Sequence, residues 1–163
     1  MNKEHDTAGV LAPPPAIALA TVMLGLTFDW LVPSYVLSTL LTLTLHVTIG
    51  ATLIAVGAAL ALAGERRFHR AGTEVKPWKP SAVLVVDGIF RRLRNPLYVG
   101  LTLILAGLGV ALASDWMLVM TVAFALVIHF GVVMREEHYL EAKFGDAYRS
   151  YKAHVPRYGW PPV

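Results

Sequence analysis

Four stretches of this sequence carry almost no charge and are long enough to cross about 30 Å of hydrocarbon, which takes roughly 20 helical residues. The first covers 15–32, with Asp29 near its far end. From Trp30 to Gly64 there is no Asp, Glu, Lys or Arg, a span too long for one crossing, so Val32-Pro33-Ser34 is read as a tight turn into a second helix at 37–64. Two more apolar runs, read as helices at 96–113 and 116–134, are separated by Ser114 and Asp115, which predict a short hairpin. After Met134 the pattern changes. Tyr139, Leu140, Phe144, Tyr148 and Tyr151 recur at helical spacing among Glu141, Lys143, Asp146, Arg149 and Lys152, which predicts an amphipathic helical segment at 136–155 packed along the membrane surface. Within it, Gly145 is expected to end one short helix and Asp146 to cap the next.

The fold expected is therefore all-α: a polytopic membrane protein of about four transmembrane helices plus a C-terminal amphipathic segment, in one domain covering 1–163. Charge sets its orientation. Arg66, Arg67, Arg70, Lys76, Lys79, Arg91, Arg92 and Arg94 lie between Gly64 and Asn95, whereas the two predicted outer turns hold no Lys or Arg. By the positive-inside rule this places the central loop, both termini and any site there in the cytosol. The start of the chain, with one lysine and two acids before Pro13, is unlike a basic signal-peptide start, and the first apolar segment is expected to be retained.

Composition agrees and removes several chemistries. The chain is 56% hydrophobic and 15% charged, with a mean hydropathy of +0.57, which is poor for a soluble globule. It has no cysteine, so disulfides, thiolate metal sites and a cysteine nucleophile are excluded, and the six histidines form no HxxxH or HExxH pair. No metal is expected. The net charge of +3 and pI near 9.3 do not argue for nucleic acid, because the basic residues flank apolar runs.

Two polar clusters remain as candidate chemistry, GIFRRLRNPLYVG (88–100) and MREEHYLEAKFG (134–145). A hairpin of the last two membrane helices returns both to the same membrane surface. In the first, Pro96 suits the opening turn of a helix and Asn95 its cap, leaving backbone N–H groups for a ligand carboxylate. In the second, Glu136 and Glu137 suit a sulfonium or an amine. Each also has an ordinary reading: arginines that fix topology with Tyr98 in the interfacial belt, and charged residues solvating a helix end. His129 is seven residues before Glu136 and so nearly on the same helix face, which predicts that the two line one cavity. A histidine hydrogen-bonded inside a bundle is the competing reading, for His46 as well.

Taken together the second half resembles the isoprenylcysteine carboxyl methyltransferase family and its phospholipid methyltransferase relatives. The resemblance is carried by RFHRAGTEVKPWKP (67–80), LVVDGIFRRLRNPLYVG (84–100) and REEHYLEAKFGDAYRSYKAHVPRY (135–158), with Arg94, Asn95, Pro96, Tyr98 and Gly100 matching one family element and Glu136, Glu137, Leu140, Phe144, Gly145, Tyr148 and Tyr151 the other. It implies S-adenosylmethionine as cofactor, bound by Arg94, Asn95, Pro96, Tyr98, Gly100, Glu136 and Glu137, and a lipophilic acceptor arriving from the membrane lipids. Arg135 and Glu136 are the catalytic candidates, with Arg135 orienting an acceptor carboxylate of the isoprenylcysteine type and His129 also contacting substrate. Phospholipid N-methylation and small-thiol S-methylation stay open as alternatives, and behind them a non-enzymatic bundle and an NADPH-dependent membrane reductase. There is no Gly-rich strand-to-helix turn of the soluble methyltransferase kind.

Overall fold

The computed structural model describes residues 7–73 and 78–159. Glu74 to Pro77, including Lys76 and part of the matched 67–80 stretch, lie outside the described residues. Every regular element among those described is helical: α1 (Pro14–Leu31), α2 (Val36–Leu40), α3 (Leu43–Arg70), a 3₁₀ turn at Gly88–Arg91, α4 (Pro96–Ala111), α5 (Asp115–Ile128), a π-helical turn at His129–Val133, α6 (Met134–Phe144) and α7 (Asp146–His154). Among the described residues three continuous helices are long and apolar enough to cross a membrane: Pro14–Leu31, Leu43–Arg70 and Asp115–Phe144. This is an integral membrane protein. The fourth expected crossing, Pro96–Ala111, is apolar but shorter, at 16 residues.

Sequence and structure part company at three boundaries. The second long helix starts at Leu43, not 37, because a separate turn of helix, α2, precedes it. The Asp115 carboxylate caps α2, accepting from Ser34 Oγ at 2.6 Å, Val36 N at 2.7 Å and Leu37 N at 3.0 Å. The same helix runs past Gly64 to Arg70. Gly64 is there for packing: a Cβ on it would collide with the Leu97 side chain of α4. The actual stop is Gly72, at φ +66°, a conformation that glycine adopts without steric cost. Finally, 136–155 is not one segment lying along the surface. Its first part continues the membrane helix without interruption, so that Asp115–Phe144 is one helix of 30 residues. The break comes at Gly145 (φ +54°) as expected, but Asp146 is the first residue of α7 and pairs with Arg149 at 2.6 Å instead of capping.

The helices pack in the order α3, α4, α5, α1, with α1 touching α4 only lightly. Glycine makes the α3–α4 seam. A Cβ on Gly57 would lie 2.5 Å from the Gly100 carbonyl oxygen, and one on Gly107 2.7 Å from that of Gly50, so the two backbones touch at Gly50 and Gly57, while Gly64, a further seven residues along, meets the Leu97 and Pro96 side chains. Small residues at such contacts allow close approach where no hydrophobic force drives helices together. Ala18, Leu105, Met117, Phe124, Ile128, Val132 and Val133 form the buried core. Large apolar residues such as Leu19, Met23, Val122, Leu126 and Phe130 point outward, as the bilayer requires.

The hairpin end is pinned by polar side chains. Ser114 accepts from Met117 N at 3.0 Å, capping α5, and donates to Asp29. Trp116 Nε1 donates to Val32 O at 2.7 Å. His46 is buried with Nε2 3.3 Å from Leu37 O, a structural contact that ties α3 to α2.

Candidate functional site

At the opposite end of the bundle the chain approaches α4 through the 3₁₀ turn, and Pro96 opens the helix with its fixed φ. Asn95 occupies the cap position without capping: its Nδ2 donates to Arg157 O at 3.3 Å. Arg94, just before the helix, points back into the bundle toward α6. The α4–α5 hairpin brings this turn beside the start of α6, and the two polar clusters meet. Arg94 Nη1 donates to Glu137 Oε1 at 2.8 Å, and Tyr98 OH donates to Glu136 Oε2 at 3.0 Å.

Glu137 is the hub. Besides Arg94 it accepts from Arg157, whose Nε and Nη2 each reach one carboxylate oxygen at 2.8 Å in a two-pronged pairing. Arg94 and Glu137 are both nearly withdrawn from water, with side chains 9% and 11% exposed, while Arg157 is 34% exposed. Tyr148 packs fully buried beneath them, its hydroxyl 3.4 Å from Arg94 Nη1. Burial and then the Glu137 charge push its phenol up to about 12, against the weaker pull of Arg94. Tyr151 OH ties α7 to the 3₁₀ turn by donating to Phe90 O at 2.7 Å, and burial raises its phenol too.

Two adjoining cavities share Phe68, Phe90, Arg94, Asn95 and Glu136 in their walls. The smaller, about 60 Å³, lies among Ser81–Val85, Leu140, Tyr148 and Tyr151. The larger, about 340 Å³, is mainly apolar and opens among Pro14, Ala61, Trp78, Leu97, Tyr98 and Leu101. It therefore lies between the start of α1 and the polar end of α3, two helices that the packing order leaves apart. Within this wall Arg94 Nε is buried and has no hydrogen-bond partner among the described residues. A guanidinium N–H without an acceptor is costly in a protein interior.

Arg94, Asn95, Pro96, Tyr98 and Glu136 thus surround one space, with Glu137 behind them. Three expected residues do not. Arg135 is exposed on the other side of α6, where Nη1 donates to Gly9 O at 2.8 Å. Gly100 is buried against Gly57 in the α3–α4 seam and serves the helix contact. His129 is half-buried in a neighbouring groove with Val99, Thr102, Leu103 and Leu126, which shares Tyr98 with the cavity wall but not Glu136, and its Nδ1 lies 2.8 Å from Tyr158 OH. The expectation that His129 and Glu136 line one cavity fails because of the π turn. Seven α-helical residues return to within about 20° of the starting face, but a π turn inserts one residue into the helical count and rotates the next stretch of helix by about 100°. The turn is held from outside: Leu11 N donates to Gly131 O at 3.0 Å.

Arg157 was missed by the sequence reading. It sits twenty residues from its partner, and no helical spacing relates the two. The signal available was its place in the matched run HVPRY, where Pro156 ends helical structure and turns the chain back.

Comparison with known proteins decides the family. The phospholipid methyltransferase family model matches residues 45–147, from α3 through the start of α7. The chain belongs to the phospholipid methyltransferase family. An uncharacterized protein of Haemophilus influenzae is 42% identical over 62 residues, which are 38% of this chain and 98% of that protein. No solved structure matches. The phospholipid methyltransferase match includes Arg94, Tyr98, Glu136 and Glu137, and it ends before Tyr148 and Arg157, so the buried hub draws on residues from both sides of the match boundary.

Proposed function

We propose that this protein transfers a methyl group from S-adenosylmethionine to the amine of a lipophilic acceptor that reaches the site from the bilayer. The observation that carries the reading is the mainly apolar cavity whose wall brings Arg94 and Glu136 together. The residues fit the cofactor's groups. Arg94 would take its carboxylate, Glu136 would face its positive charge, and Phe68, Phe90 and Trp78 offer flat apolar surfaces for a base. The volume of about 340 Å³ is in the range of small-molecule sites.

Bound there, S-adenosylmethionine supplies a methyl on a sulfonium and departs as the thioether S-adenosylhomocysteine. The protein's task is to hold the acceptor in line and dry. An amine acceptor must also lose a proton when its nitrogen bonds to the methyl carbon, and Glu136, oriented by the Tyr98 hydroxyl, is the carboxylate at hand. Arg135, the residue expected to orient an acceptor carboxylate, is not beside this cavity, which favours an amine over an isoprenylcysteine-type carboxylate. The gap between α1 and α3 is the acceptor's route. In this reading α4 is the fourth crossing and the arginine-rich end faces the cytosol.

The test is a titration of the detergent-solubilised protein with S-adenosylhomocysteine, followed by radiolabelled methyl transfer into extracted lipids. Saturable binding and label in an amine-bearing lipid are expected. Absence of binding would overturn the cofactor assignment, and label in a carboxyl ester would overturn the amine.

A further inference from the structure

The π turn at His129–Val133 is tied to the segment that precedes α1. At its end Met134 N reaches back five residues, to His129 O, where an α-helix would reach four. Such turns are rare and gather at functional sites. Leu11 N donates to Gly131 O at 3.0 Å, and one turn further along Arg135 Nη1 donates to Gly9 O at 2.8 Å. Gly131 makes room for the first tie, since a Cβ there would lie 3.2 Å from Leu11 Cβ. These ties are not what seats α1: a Cβ on Gly25 would lie 2.9 Å from Met117 Cα, so α1 already touches the α5 backbone. They act on α6. Arg135 and Glu137 are two residues apart and so project about 200° apart around the helix. Glu137 faces Arg94 on one side, and Arg135 faces Gly9 on the other. Glu136 lies between them, held by Tyr98 OH at 3.0 Å.

We infer that Gly9–Leu11 is a clip that keeps the π turn in place, and that Arg135 is a positioning residue: by holding Gly9 O it fixes the rotation at which α6 presents Glu136 to Tyr98 and the cavity. Without the clip the turn relaxes toward α-helix, which rotates α6 by about 100° and takes Glu136 away from Tyr98. The inference rests on the role proposed for Glu136 and goes further, since Arg135 lines neither of the two adjoining cavities.

The test reads rotation and turnover side by side. The chain has no cysteine, so spin labels go where they are wanted. Arg92→Cys and Ala142→Cys, both at exposed positions, give a distance from the approach to α4 to α6 that needs no ligand. A rotation of about 100° moves a side chain on a helix by up to roughly 8 Å. The parent protein should show one distance. Leu11→Pro, which removes the donating N–H, and Arg135→Ala, which removes the second tie, are each expected to add a second distance and to lower methyl transfer at least about tenfold. Arg135→Lys, whose ammonium still donates to Gly9 O, should keep one distance and most of the turnover. If Leu11→Pro fails to fold, Arg135→Ala, a change at an exposed side chain, decides. A single distance in Arg135→Ala, whatever its activity, would overturn the inference, as would full turnover in a variant that shows the second distance. Absence of methyl transfer in the wild type would instead overturn the proposed function, and the distances alone would then decide the clip.

Discussion

Replacing Glu137 by Gln separates the residue that holds the site together from the one proposed to act in it. The substitution keeps the shape but removes the charge between Arg94 and Arg157, and it turns an amide nitrogen toward one guanidinium. Arg94 is 9% exposed and its contact with Glu137 is 2.8 Å. Unit charges about 4 Å apart at an effective dielectric near 20 interact by roughly 4 kcal/mol, and leaving one member of a buried pair unpaired costs about 3–5 kcal/mol. Arg157, a third exposed, recovers water and adds less than about 1 kcal/mol. A total of about 3–6 kcal/mol corresponds to a fall in melting temperature of roughly 6–24 °C for a chain of this size. Thermal unfolding in detergent, followed by near-ultraviolet circular dichroism, measures it. Glu136→Gln is the control: its hydrogen-bond partner among the described residues is the Tyr98 hydroxyl, which an amide oxygen still accepts, so the melting temperature should stay within about 2 °C while methyl transfer is lost. Equal shifts for the two variants would refute the division of labour.

Tyr98→Phe removes the donor to Glu136 and should reduce turnover at least tenfold with a stability change of about 1 kcal/mol; unchanged methyl transfer would count against Glu136 as proton acceptor. Gly57→Val places carbon against the Gly100 carbonyl, where even a Cβ would be 2.5 Å away, so the helices must part and melting should reveal a loss of about 1–3 kcal/mol. The Tyr148 phenol, pushed up to about 12 from about 10 in the unfolded chain, binds its proton more tightly in the fold. Its contribution to stability is therefore complete below about pH 10 and lost as pH rises through about 12, and Tyr148→Phe should flatten that part of the melting profile.

The coarse membrane architecture was legible because long charge-free runs have few other uses, and the hairpin at Ser114-Asp115 because a lone polar pair between two such runs leaves little choice. That hairpin, in turn, made the meeting of Arg94 with the Glu136-Glu137 pair predictable. Finer features escaped for reasons that lie in tertiary contacts. Gly64 reads as a helix end in isolation, and only the Leu97 side chain against it explains a glycine mid-helix. Nothing in HFGVV distinguishes a π turn from ordinary helix; the backbone bond from Leu11, some 120 residues away, is part of what holds it. Without that turn, periodicity put His129 beside Glu136. Arg157 escaped because its pairing depends on a non-helical strap, and charges in such segments have no period to read.

The π turn at His129–Val133 also bears on which lengths this chain tolerates. Losing one residue there would relax the segment to plain α-helix and swing Glu136 and Glu137 by about 100° away from Arg94 and Tyr98, with composition and hydropathy hardly changed. The sequence between the two polar clusters therefore behaves as a ruler. Substitutions within its apolar stretches are cheap, but a single-residue deletion in the turn would leave an inserted, helical and inactive protein, and descendants of this chain should keep the spacing from Tyr98 to Glu136 even where they have replaced nearly every residue in between.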